Sequence, residues 1–162
     1  MSVLSAVEQN AAVLCRRHPE VPFEWVLALR LIVHICHQVN GDASTFLRAW
    51  NITYDEYLVL SSLYTDGEGA LPISTLSRLL GSKPADVNRS VRQLAAKQMI
   101  RRIVGPANRR MGLFALTDEG KKALEQCLPV MGGMLAHAGR QFEEGEIVAV
   151  AQSLKKLFRE PD

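Results

Sequence analysis

The sequence predicts a mainly α fold with a small β-hairpin wing, and three observations lead there. Nearly every periodic apolar stretch repeats at helical spacing, in a chain of 162 residues that is 48% apolar and can bury a core. Two of those helices, STLSRLL and ADVNRSVRQLAAKQ, are short and joined by a glycine-containing turn, the arrangement of a helix-turn-helix. The clearest β pattern follows them at once, as the strands MIRRIV and GLFALT around the turn GPANRR. The expected architecture is a winged helix-turn-helix domain plus a helical dimerisation scaffold.

Taken in order, LSAVEQNAAVLCRR (4–17) is helical and must stop before His18-Pro19 and Val21-Pro22, because a residue preceding proline is pushed out of the α region. A second helix is expected over 23–40, closed by Gly41. Phe23, Val26, Leu27, Leu31 and Cys36 leave it apolar nearly all round, which asks for a subunit interface as well as a core. ASTFLRAW (43–50) reads as a separate short helix. Thr53 and Glu56 form a capping box that starts a helix running to about Thr65. LPI (71–73) is a stub of strand, and Gly81 stands where a left-handed cap ends STLSRLL. Pro84 opens the next helix, where its missing N–H costs nothing. Val87, Val91, Leu94 and Ala95 share one face of it, and Ala85, Asp86, Asn88, Arg89 and Arg92 lie toward the other. After the hairpin, Thr117 caps a helix with Asp118 and Glu119 in its first turn, where carboxylates favour the helix dipole. That helix is expected to pass Pro129 with a kink, and a last amphipathic helix follows at about 144–159. The expected organisation is therefore 1–50 for dimerisation, 51–120 for the winged domain and 121–162 for dimerisation.

Composition narrows the function. The most apolar run, WVLALRLIVHIC at 25–36, is too short to span a bilayer and carries Arg30. MSVLSAVEQN has no basic stretch ahead of an apolar one, so no secretory signal is expected. Cys15, Cys36 and Cys127 are odd in number and far apart, which argues for a reducing cytoplasm. The net charge is only +2, but it is unevenly placed. From Arg78 to Arg110 nine basic residues, Lys97 among them, face Asp86 alone, a local +8 that leaves −6 elsewhere. A basic block in an otherwise acidic molecule predicts a polyanion-binding face. No catalytic set is visible, since Gly67-Glu-Gly69 lacks the third glycine, lysine and following helix of a phosphate loop. No cofactor is expected.

LSRLLGSKPADVNRSVRQLAAKQMIRR followed by NRRMGLFALTDEG resembles the MarR family of bacterial winged-helix transcription regulators, loosely over the whole chain and closely over 71–120. The most specific piece is Leu116-Thr117-x-x-Gly120. Two positions depart from the family pattern: Asn108 replaces the wing aspartate, and Gln98 replaces the glycine after the recognition helix. Gln98 is therefore expected to bring strain or a different turn.

The resemblance implies a homodimer on an inverted-repeat operator in double-stranded DNA, with half-sites about one helical turn apart. By position on the recognition helix, Asn88 and Arg89 are expected at base edges, asparagine suiting adenine and arginine guanine. Ala85 and Asp86 would meet a thymine methyl or a cytosine amine. Ser82, Lys83 and Arg92 would take phosphates, and Arg109 and Arg110 would enter a minor groove.

The family often senses phenolic or other small anionic molecules between its dimer scaffold and DNA lobes. Arg30, His34, His37, Trp50, Tyr54 and Tyr57 fall near where that cleft would be. The CRRHPEVPFEW segment resembles the urate-responsive branch, but Leu14 stands where that branch has a tryptophan, so urate binding does not carry over. NITYDEY resembles the hydroperoxide-sensing branch, whose reactive cysteine would align near Leu29. A redox-sensing regulator built on Cys36 is one alternative function. A winged-helix protein–protein adaptor is another, disfavoured by the charge split. His34, Cys36 and His37 would not converge on a metal from one regular helix, so no metal site is expected.

Overall fold

A computed structural model describes residues 2–67, 69–103 and 112–158. The chain divides into two compact units, Met1–Thr45 and Phe46–Asp162.

In the first unit α1 spans Val3–Arg17, capped at its start by Ser2, whose hydroxyl accepts from the Ser5 amide at 3.1 Å. Its C-cap residue His18 is already non-helical, as the following proline requires. α2 spans Phe23–Leu47. Arg30 of α2 donates to the Asn10 side chain of α1. Trp25, Leu29, Val33 and Ile35 remain exposed, so α2 keeps an uncovered apolar surface.

Two expectations about α2 are corrected. Gly41 does not end it, and 43–50 is not a separate helix. The helix continues to Leu47, and a 3-10 turn, Arg48–Trp50, completes the stretch. A glycine terminates a helix by entering the left-handed region, and Gly41 does not do so. The Ser44 and Thr45 hydroxyls donate one turn back, to the Asn40 side chain and the Gly41 carbonyl, and the helix is carried across. Asn51, at φ 55, is the residue that turns the chain.

The second unit is built on α3, Tyr54–Thr65, which packs against α4, Ile73–Leu80, α5, Pro84–Ala96, and α6, Asp118–Gly139. Both halves of the Thr53–Glu56 capping box form. β1 (Leu71–Pro72), β2 (Ile100–Ile103) and β3 (Leu113–Leu116) make an antiparallel sheet in the order β1-β3-β2. The register pairs Arg101 with Ala115 and Arg102 with Phe114. Leu60, Leu76, Leu94 and Leu124 are fully buried, one from each of the four helices, and form the core beneath the helix-turn-helix. α6 continues through Pro129, whose missing amide removes one helical hydrogen bond. α7, Glu146–Lys155, is exposed along its length. No described helix is long and apolar enough to cross a membrane.

Candidate nucleic-acid interface

The helix-turn-helix is made by two successive chain signals. α4 ends in a Schellman turn: the Ser82 amide donates to the Ser77 carbonyl at 3.1 Å and the Gly81 amide to Arg78 at 3.4 Å. Gly81 sits at φ 60, a conformation that costs glycine nothing. Lys83 is extended and Pro84 takes the first helical position of α5.

α5 is two-faced, as the spacing predicts, except that Ala95, expected on the inner face, is exposed in the last turn of the helix. Val87, Val91 and Leu94 are buried, while Ser82, Lys83, Ala85, Asp86, Arg89 and Arg92 are exposed. Asn88 differs from the rest. It is half-buried and lines a groove with Pro72, Ile73, Ser74, Arg102, Gly112 and Phe114, between the start of α4 and the sheet. Arg89 lies 3.8 Å from Asp86, an exposed pair worth little to stability.

The wing strands add exposed Arg101 and Arg102 on β2. Arg102 lies across Gly112, just before the facing strand, where an added Cβ would fall 2.7 Å from its Nε. Sequence reasoning counts Arg102 only as charge. The antiparallel pairing with β3 is what brings it to the groove beside Asn88. Arg109 and Arg110, together with Asn108, lie outside the described residues.

The C-terminal end of α5 is where sequence reasoning missed most. Lys97, at the C-cap, turns inward: its Nζ donates to both Glu56 carboxylate oxygens at 2.7 Å and to the Asn51 carbonyl at 2.6 Å. Glu56 is completely buried and also accepts from the Thr53 amide at 2.7 Å. The basic block therefore has one member that does not face solvent as a free charge. Gln98 follows at φ 59, in a second Schellman turn: its amide donates to Ala95 and that of Met99 to Leu94, both at 3.0 Å. The strain expected at Gln98 takes this form.

The Leu-Thr-x-x-Gly segment then closes on that same turn. Thr117 donates its hydroxyl to the Gln98 carbonyl at 2.7 Å and its amide to Met99 at 3.1 Å. Its hydroxyl also accepts from the Gly120 amide at 3.1 Å, capping α6. Gly120 is obligatory here, because a Cβ would sit 1.9 Å from the Met99 carbonyl oxygen. One short segment thus joins the end of the recognition helix to the return of the wing.

The six residues considered for an effector fall in both units. Arg30 is engaged by Asn10, and His34 and His37 are exposed on α2. Trp50 donates from Nε1 to Gln126 of α6 at 3.3 Å. Tyr54 and Tyr57 stack with ring centroids 6.1 Å apart. Burial raises the Tyr57 phenol above its ordinary value, with smaller contributions from Cys127 and Tyr54. Cys36 is exposed, and Cys127 is buried with its thiol likewise raised by desolvation. Among the described residues no three His, Cys, Asp or Glu side chains gather closely enough to hold a metal ion.

Residues 52–111 match the model of the MarR family. The chain is 24% identical to the transcriptional repressor MprA of Escherichia coli K12, over 99% of this chain and 92% of that one. It is 29% identical to the uncharacterised regulator YhbI of Bacillus subtilis, over 68% of each. Its fold is similar to that of a cysteine-to-serine mutant of E. coli MarR solved with operator DNA, with a TM-score of 0.75 at 23% identity over 84% of this chain and 96% of that one. A Staphylococcus aureus MepR–DNA complex is similar with a TM-score of 0.73 at 24% identity, over 79% of this chain and 93% of that one.

Proposed function

From the match of residues 52–111 to the MarR family we propose that this chain is a MarR-type, sequence-specific DNA-binding transcriptional regulator. It acts as a homodimer of the repressor type in the bacterial cytoplasm, released from its operator by a small anionic or aromatic molecule. The observation that carries the reading is the outward face of α5. Ala85, Asp86, Arg89 and Arg92 are all solvent-exposed there, opposite the buried Val87, Val91 and Leu94. A helix packed on one side and charged on the other is ready to enter a major groove.

The work divides physically. Lys83, Arg92 and the wing arginines neutralise phosphates, which supplies most of the affinity and makes it salt-dependent. Arg89 and Asn88 offer hydrogen bonds to base edges, which choose sequence. A single module buries too little surface for selective binding, so two are needed. The exposed apolar side chains of α2, α6 and α7, such as Leu29, Val33, Leu135 and Val148, support burial against a second copy. The naming of an E. coli relative as a repressor supports the sign of regulation.

The test is fluorescence anisotropy with random duplex DNA across a salt series, comparing wild type with Arg109→Ala/Arg110→Ala. The expected result is binding whose log–log salt slope flattens in the variant by about one to two units per subunit. Absence of salt-dependent binding by wild type at low ionic strength would sink the proposal and move the adaptor reading to first place.

A further inference from the structure

We propose that Lys97 is a positioning residue for DNA reading: it sets the pose of the recognition helix from its C-terminal end and touches no phosphate. The inference rests on the DNA-binding reading above but assigns Lys97 a different task from the arginines around it.

An ammonium group has three N–H donors and no more. Those of Lys97 go to Glu56 Oε1, Glu56 Oε2 and the Asn51 carbonyl, all within 2.7 Å. Nothing remains to meet a phosphate. On the other side, Glu56 has no solvent exposure at all, and among the described residues its charge is answered by Lys97 and the Thr53 amide. A buried carboxylate so partnered holds its ammonium in one place far more firmly than a surface pair would.

The location gives the contact its purpose. Lys97 is the C-cap of α5, while Glu56 and Thr53 begin α3, so the pair bolts the end of one helix to the start of another. Asn51 adds a third strap, and the neighbouring Trp50 bonds to Gln126 of α6. Arg92 and Arg89 stand five and eight residues before Lys97, about 7 and 12 Å along the axis. A tilt or rotation of α5 about its fixed end would carry both arginines off their targets. Base-edge hydrogen bonds demand closer placement than phosphate attraction does, so selectivity should suffer before affinity for arbitrary DNA.

The experiment uses the full chain as wild type, Lys97→Met and Lys97→Arg. Each is titrated by anisotropy against a duplex selected by wild type from a randomised pool and against a scrambled duplex, across a salt series. Melting curves fix a temperature at which every variant is folded. For Lys97→Met the expected result is a loss of about tenfold or more on the selected duplex. Binding to the scrambled duplex should change by no more than about twofold, with an unchanged salt slope. Lys97→Arg should recover most of the selectivity. If Lys97→Met is unfolded, Glu56→Gln, which keeps an acceptor for Thr53 but loses the charge, carries the same comparison. A slope flattened by about one unit would make Lys97 a phosphate contact and overturn the proposal. So would a folded variant that discriminates between the duplexes as wild type does, leaving the pair merely structural. Failure of wild type to bind either duplex would remove the DNA reading and this proposal together, and the wild-type arm alone reveals it.

Discussion

At its N-terminal end α5 begins from Lys83, whose side chain caps nothing, and residues 82–86 are exposed throughout. At its C-terminal end Lys97 is tied to Glu56 and Asn51, and the Gln98 and Met99 carbonyls are both taken by Thr117. Gly120 approaches the Met99 carbonyl too closely to carry a side chain. One helix therefore has an open end and a bolted end. A DNA-reading helix requires this asymmetry. Groups meant for an external partner must be left unsatisfied by the protein itself, and stability has to be found elsewhere. Changes to the backbone packing of the bolted end should therefore act mainly on folding. The Lys97 contact should act on DNA selectivity through the pose of the helix, and changes at the open end should act on DNA directly.

The largest effect is expected from Gly120→Ala. Its Cβ would collide with a backbone carbonyl that already accepts from Thr117, and backbone cannot step aside as a side chain can. A loss of about 3 kcal/mol or more is expected in urea unfolding, at the upper end of overpacking costs. A variant as stable as wild type would show that the bolted end is loose.

The next is a gain. Gln98 occupies at φ 59 the same place in its Schellman turn that Gly81 occupies at φ 60 in the other. Left-handed backbone costs a side-chain-bearing residue about 1–2 kcal/mol, part of which glycine returns as unfolded-chain entropy. Gln98→Gly should stabilise by about 0.5–1 kcal/mol, read as a rise of a few degrees in Tm. A fall in Tm would mean that the glutamine side chain contributes something the turn geometry does not reveal.

Alkaline titration probes the packing behind the bolted end. Burial raises the Cys127 thiol above its ordinary 9.0 and the Tyr57 phenol above its ordinary 10.0. Groups raised in the folded state contribute fully below their unfolded values and lose that contribution as pH climbs through the folded ones. The urea midpoint should hold up to about pH 9 and decline above it. Replacing Cys127 by alanine should remove the part of that decline which begins earliest, and an unchanged profile in the variant would assign it elsewhere.

The smallest effect on folding belongs to the open end. Arg89 is 73% exposed, and its pair among the described residues is Asp86 at 3.8 Å. Arg89→Ala should change stability by less than about 0.5 kcal/mol. Its selected-duplex affinity should nonetheless fall by about tenfold, measured by anisotropy, since a good base contact is worth about 1–3 kcal/mol. A large stability change with intact binding would reverse the comparison between the two ends.

What could be read without coordinates was local. Thr53, Gly81, Pro84 and Thr117 announce helix starts and stops because each acts within a turn of its own position, and the helix boundaries follow them. The two faces of α5 and the hairpin after it follow from periodicity in the same way. Gly41 misleads because a glycine ends a helix only when the chain reverses there, and the turn falls instead at Asn51.

The amino-acid sequence by itself determined the order of helices and strands from α3 onward, the helix-turn-helix, and the basic block facing a single acid. Only the tertiary structure decided which of those charges face outward. Lys97 and Glu56 are 41 residues apart, and nothing at either position distinguishes a solvated ion from a buried partner until α3 and α5 pack together. The same holds for Gly120 against Met99 and for Arg102 beside Asn88. Charge and helical period are properties of neighbours along the chain, whereas pairing and close approach depend on which distant segments share a core.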